Sequence, residues 1–279
     1  MTGLIRVVHP FPSALDAVAA STIALIAGAQ PDLAIRLGLG MLGLQFAIGA
    51  ANDVADAASD AVGKPGKPIP AGNVSGGAAV GISVTAAGLG LLVAATVGLG
   101  ALIVGAAGLA DGLIYDLRLK RTLLAWMPFA AGVGLLPLYA WWGARGSVPA
   151  AFLLVLPLAV VAGASLALAN AYVDIDRDRL SGVASVATYL GGWRTLLANT
   201  VLMLCVQLIA MTTTVAIGGA GSLVLVEAGG SGLGWLGVAL LDFRGGSARS
   251  LGWEVQAVAI LILGAAWLIA LNSAGFLSS

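Results

Sequence analysis

The sequence is poor in charge. Of its 279 residues only 9% are Asp, Glu, Lys or Arg, while 59% are hydrophobic and the mean hydropathy is +1.02. Water-soluble domains are typically about a quarter charged. So few charges cannot cover a surface facing water, and the chain belongs in a bilayer. The formal net charge is zero, which removes any bulk electrostatic case for nucleic acid or anionic partners. A single cysteine, Cys205, lies inside an apolar run. It excludes an intrachain disulfide and says nothing about redox compartment. A single histidine, His9, excludes the His/Cys spacings of zinc sites. A Ser/His/Asp triad would have to use this one residue, which precedes the first apolar run, so a structural or interfacial role is expected for it. The opening "MTGLIRVVHPFPS" has one Arg and no apolar core followed by a small-residue cleavage site. It reads as a cytoplasmic lead-in rather than a signal peptide.

Long apolar runs are abundant. A helix needs about 20 apolar residues to cross the hydrocarbon core. Candidate spans fall at 13–30, 33–52, 75–96, 98–115, 122–143, 149–171, 195–217, 221–242 and 254–276. The expected fold is all-α: a polytopic transmembrane bundle of about nine helices in one domain over 1–279. The eighth span is interrupted by Glu227 and "GGSGLG", so eight spans are the alternative. The 40 glycines suit close helix packing in lipid. Gly38-x-Gly40-x-x-Gly43 matches a dinucleotide fingerprint, but that motif needs a preceding strand. Inside an apolar span it reads as helix packing.

Lys and Arg set the orientation. They cluster after the even-numbered spans: Lys64 and Lys67; Arg118, Lys120 and Arg121; Arg177, Arg179 and Arg194; Arg244 and Arg249. Counting Arg6, eleven of the 13 fall on one side, with Arg36 and Arg145 on the other. That side is expected to be cytoplasmic, with the N-terminus inside, in the plasma membrane of a prokaryote.

Two acidic clusters stand out, "NDVADAASD" (52–60) after the second span and "NAYVDIDRD" (170–178) after the sixth. Asn52, Asp56 and Asp60 match Asn170, Asp174 and Asp178, so both obey N-x-x-x-D-x-x-x-D. The match suggests an internal pseudo-repeat in which each half brings an acidic helix end to one shared place. At about 100° per residue, Asp53, Asp56 and Asp60 share an arc of roughly 60°, and Asp174 and Asp178 lie about 40° apart if the helix continues. Asp176 points away from both and is expected to pair with Arg179 or Arg177. Clustered carboxylates repel one another and oppose the negative end of a helix dipole, so such faces fit cation binding. All-carboxylate ligands suit a hard cation such as Mg²⁺, which keeps waters and completes its shell with phosphate oxygens. Lys64, Lys67, Arg118, Lys120 and Arg121, in the neighbouring loops, are candidate direct phosphate donors. Tyr115, Tyr172 and Tyr189 lie near the same membrane face, where interfacial tyrosine is the default.

These residues carry a resemblance. "NDVADAASD" resembles the NDxxDxxxD motif of the UbiA-type membrane prenyltransferase superfamily, and "DIDRD" resembles its second DxxxD motif. "GKPGKPIPAG", "YDLRLKR" and "DRLSGVASVATYLGG" are similar to three of its loops, in the family's order, over roughly residues 5–195. Lys67 stands where many members have Arg. The C-terminal third has no matching motif. The resemblance implies nine helices around a central cavity. It also implies Mg²⁺ held by Asp53, Asp56, Asp60, Asp174 and Asp178, and through it the diphosphate of a polyprenyl donor. Asn52 and Asn170 would orient these groups, Lys67, Lys120 and Arg121 would contact the diphosphate, and Tyr115 would face the reacting carbon. The expected activity is transfer of a prenyl group to an aromatic or lipid-like acceptor, with Asp53, Asp56, Asp174 and Tyr115 at the chemistry. One alternative is a membrane terpene cyclase using the same site. Another, from a different class, is an ion-coupled transporter with the acids as its ion site.

Overall fold

The computed structural model describes residues 2–243 and 245–278. Arg244, one of the bases used above for orientation, lies outside the described residues. Among the described residues twelve α-helices follow in order, α1 Thr2–Val7, α2 Pro10–Ile26, α3 Pro31–Gly63, α4 Gly76–Val97, α5 Leu99–Ile114, α6 Trp126–Arg145, α7 Phe152–Val173, α8 Ile175–Leu180, α9 Val186–Leu190, α10 Gly192–Ala216, α11 Gly221–Asp242 and α12 Gly246–Ser273. A π-helical turn, Tyr115–Leu119, extends α5. No strand occurs among the described residues.

Each expected span overlaps a helix. Among the described residues seven helices, α3, α4, α5 with its π-turn, α7, α10, α11 and α12, are long and apolar enough to cross a membrane. α2 is a shorter apolar helix, and α6 is not among the seven. The doubtful eighth span is the continuous helix α11, and Glu227 sits fully buried in it, accepting a 2.6 Å hydrogen bond from Thr214 Oγ1. A partnered polar group is tolerable at membrane depth where a lone one is not.

Local chemistry sets the helix ends that matter. Pro31 starts α3 and Asp32 lies in its first turn, both favourable at a helix N-terminus. α3 then runs for 33 residues, about 50 Å at 1.5 Å per residue. That exceeds a hydrocarbon core of about 30 Å, so one end must project beyond it. The helix stops at Gly63 before "KPGKP", where a residue preceding proline is driven out of helical geometry. Ser75 caps α4 by accepting from the Ala78 N–H at 3.1 Å.

The chain forms two compact units, one of residues 1–119 with 135–147, the other of residues 120–134 with 148–279. In the first, α3 packs against α2, α4 and α5. The Gly38-x-Gly40-x-x-Gly43 stretch is a packing face, as expected. A Cβ on Gly38 would strike Ser21 of α2, and one on Gly43 would lie 3.0 Å from the Cα of Gly90 on α4. In the second unit α10, α11 and α12 pack with α7. A buried polar knot ties three of these helices. Asn199 Nδ2 donates to the Ser165 carbonyl at 2.9 Å and to Gln256 Oε1 at 3.0 Å. In lipid, where helix packing gains little from the hydrophobic effect, such bonds fix helix register.

Candidate active site

The first acidic cluster lies on the last turns of α3. The helix continues unbroken through it, so the one-face expectation holds: Asp53, Asp56 and Asp60 are all buried, with relative exposures of 2%, 9% and 7%. Buried carboxylates demand partners. The loop after α3 provides one. Backbone bonds from Lys67 N to Lys64 O and from Ala71 N to Lys67 O, both 2.9 Å, fold "GKPGKPIPAG" back on itself. They aim Lys67 Nζ between two acids, 2.8 Å from Asp53 Oδ1 and 2.9 Å from Asp60 Oδ2. Burial acts to lower the pKa of this ammonium, but the hydrogen bonds and charges of Asp53 and Asp60 outweigh burial and hold it above its ordinary value. Lys67 is therefore a permanent cation at physiological pH.

Two further residues join this cluster that the sequence did not point to. His9 Nε2 lies 2.9 Å from Asp53 Oδ1. A carboxylate only accepts, so Nε2–H is the donor. The role is more specific than the structural or interfacial one expected for His9. Asp116, 8% exposed in the π-helical turn, accepts a 2.6 Å hydrogen bond from Asn52 Nδ2. Asn52 is thus tied to the end of α5 rather than to the other motif residues. Tyr115, beside Asp116, is half-buried.

The second cluster differs from expectation. α7 stops at Val173, and Asp174 is the junction from which the short α8 starts. The Asp178 N–H still reaches the Asp174 carbonyl at 2.9 Å, so Asp174 and Asp178 remain one turn apart. Both are half-buried, as is Asn170 on α7. Arg177 pairs with Asp174. Asp176, 67% exposed, pairs with Arg249 of α12 at 2.7 Å, while Arg179 stands 3.9 Å off. The expected Arg177 partner is thus taken by Asp174. Arg249 also lies over the Tyr172 ring, 5.0 Å from its centroid, and so connects the C-terminal third to the second motif. Lys120 is half-buried and Arg121 exposed in the segment after the π-turn.

The donor set can be tested for a metal. Its oxygens are hard ligands of the kind Mg²⁺ takes. Asp53 Oδ2 is buried and has no hydrogen-bond partner, which leaves one oxygen able to accept a cation. No three acidic, His or Cys side chains converge on one point among the described residues. A cation here would take one or two carboxylates and complete its shell otherwise, which is the habit of Mg²⁺. The residues fit.

A carboxylate-rich helix end partnered by a half-buried lysine thus sits on a bundle of apolar helices. The sequence pattern of the UbiA prenyltransferase family matches residues 15–252, and the chain belongs to that family. Solved structures agree on the fold. A UbiA homologue from Archaeoglobus fulgidus bound to GPP and Mg²⁺ superposes with a TM-score of 0.74 at 14% identity, covering 95% of this chain and 99% of that one. The apo UbiA homologue from Aeropyrum pernix K1 gives 0.72 at 19% identity, covering 91% and 96%. A digeranylgeranylglyceryl phosphate synthase gives 0.68 at 16% identity, covering 97% of each chain. No curated protein matches the sequence.

Proposed function

We propose that this chain is a Mg²⁺-dependent membrane prenyltransferase that ionises a polyprenyl diphosphate, joins the prenyl group to an aromatic or lipid-like acceptor and releases diphosphate. The observation that carries this reading is the pairing of half-buried Lys67 with the buried Asp53 and Asp60 at the end of a long apolar helix, with Asp53 Oδ2 left without a hydrogen-bond partner. Support also comes from family membership and from the A. fulgidus homologue bound to GPP and Mg²⁺.

In this reading Asp53, Asp56, Asp60, Asp174 and Asp178 hold Mg²⁺ and, with it, the donor diphosphate. Bound Mg²⁺ would neutralise charge on the departing diphosphate. Lys67, Lys120 and Arg121 add fixed cations, which favour the charge-separated transition state over the ground state. Asn52 and Asn170 orient the acids, and Tyr115 faces the reacting carbon. As the carbon–oxygen bond breaks, its electron pair leaves with the diphosphate. The acceptor nucleophile then bonds to the allylic carbon and gives up a proton. Apolar helices keep water from quenching the allylic cation. The isoprenoid stays in hydrocarbon while its head meets the loops, and the bias of Lys and Arg towards these loops supports a cytoplasmic site.

Product analysis tests this. Purified protein in liposomes receives radiolabelled geranylgeranyl diphosphate, Mg²⁺ and candidate acceptors. Label in an acceptor adduct supports the transferase. Label in a cyclised hydrocarbon formed without acceptor indicates the cyclase. Unchanged diphosphate carried across the membrane indicates the transporter.

A further inference from the structure

His9 lies 44 positions from Asp53, and the geometry that joins them is built from several independent parts. Pro10 opens α2, so His9 must leave helical geometry before it. It does so with φ 50° and ψ 68°, and is the one non-glycine residue with positive φ among the described residues. Histidine tolerates this left-handed region better than most side chains. Ser13 Oγ donates to the Val8 carbonyl at 2.9 Å, and Ser13 N to the His9 carbonyl at 3.3 Å, closing the turn. Val7 and Val8 are buried against Ala50, Val74 and Ala79. Gly49, one turn before Asp53, is the notch that admits this strap. A Cβ there would lie 2.9 Å from the Val8 carbonyl oxygen and 3.3 Å from the His9 Cβ. A strained turn, a glycine notch and two buried valines thus deliver one imidazole to one carboxylate oxygen.

That oxygen already has a partner. Asp53 Oδ1 takes both His9 Nε2 at 2.9 Å and Lys67 Nζ at 2.8 Å, whereas Oδ2 is buried with no hydrogen-bond partner. The carboxylate is held lopsided, with one oxygen saturated and the other bare. On the reading given under Proposed function, we propose that His9 is a positioning residue. Together with Lys67 it saturates Oδ1, fixes the rotation of the Asp53 carboxylate, and so presents Oδ2 as a single-oxygen ligand to the divalent cation. The N-terminal strap belongs to the cation site although it contributes no ligand.

The test is Mn²⁺ uptake by the purified full-length protein, read by electron paramagnetic resonance in the presence of inorganic pyrophosphate, so that turnover is not needed. His9→Phe keeps the ring and loses the donor. His9→Gln bears the same left-handed backbone at no less strain and restores an N–H at similar reach. His9→Phe is expected to bind Mn²⁺ about tenfold more weakly or worse, and His9→Gln to stay within about threefold of wild type, as for partners that orient a metal ligand. Gly49→Ala, which pushes the strap away while leaving the His9 and Asp53 side chains themselves unaltered, is expected to weaken Mn²⁺ binding as His9→Phe does. It provides a second arm should His9→Phe not fold. Unchanged Mn²⁺ binding in folded His9→Phe or Gly49→Ala, or equal loss in His9→Phe and His9→Gln, overturns the proposal. Asp53→Asn separates the two levels. If it binds Mn²⁺ as tightly as wild type, the assignment of Asp53 as a metal ligand fails, whatever His9 does.

Discussion

The ends of α3 and α7 carry the same N-x-x-x-D-x-x-x-D spacing but are built differently. At the first, the helix runs on through all three acids, which are buried to within 9% exposure. Its partners come from elsewhere in the chain: Lys67 from the following loop and His9 from the N-terminal strap. At the second, the helix breaks at Asp174 and the acids keep part of their hydration. Their partners are mostly bases of the same short segment, with Arg249 added from α12. Removing charge from water is costly unless it is paired and hydrogen-bonded, so the buried motif has to be prearranged. The half-exposed one has water as an alternative partner and is less constrained. Equal spacing in the sequence therefore does not mean equal energetics.

This contrast can be broken by mutation. The largest effect is expected at the first motif. Asp53→Asn should lower turnover by at least about 10²–10³-fold, the scale of losing a preorganised electrostatic contact, while the protein still inserts. Turnover within severalfold of wild type would end the prearranged-site view.

Lys67→Met comes next. It leaves Asp53 and Asp60 as buried charges without their cation, and breaking a buried pair in this way costs about 3 kcal/mol or more. Thermal unfolding in detergent should show the loss, and added Mg²⁺ should narrow the gap to wild type by replacing the missing positive charge. The sign with pH is fixed. Lys67 is held above the ordinary lysine value of 10.5, so its contribution is whole below that value and is lost only as pH rises through the higher one. The gap between wild type and Lys67→Met should stay flat from neutral pH to about 10 and close above it.

The second motif sharpens the comparison with smaller effects. Asp178→Asn should lose most activity. Asp176→Asn should retain most of it, because its pair with Arg249 is 67% exposed on the Asp side and such pairs contribute about 1 kcal/mol or less. Both changes remove one charge from one short segment, so equal losses would mean that bulk charge, not position, matters there.

The orientation of the two motifs gives the mildest test. Cysteines at Ser59 and Ser181, in a Cys205→Ser background, should react only from the cytoplasmic side. Labelling of either from outside intact cells would overturn the assigned topology.

Much of this was legible in the sequence, for physical reasons. Apolar length is what the bilayer selects, so seven of the nine expected spans fall on helices long and apolar enough to cross it among the described residues. Hydropathy ends where lipid ends, not where the helix ends. The second span was therefore expected to stop at 52, whereas α3 continues to Gly63 with the acids on its face. The Gly38 stretch was readable because small residues in lipid have one common use. His9 was not readable as a partner of Asp53, because its position depends on a left-handed turn and on Gly49 opposite, neither of which leaves a periodic trace. Arg249 was missed as the partner of Asp176 for a similar reason: it lies 73 positions away, in a region without a motif.

Diphosphate release from labelled geranylgeranyl diphosphate by the purified protein tests the central claim most directly. With Mg²⁺ and a competent acceptor, the wild type should release diphosphate. Chelation, Asp53→Asn and Asp174→Asn should each stop the release. Release that persists under chelation, or in either folded variant, would contradict the assignment of the two acidic motifs to the metal and the departing diphosphate.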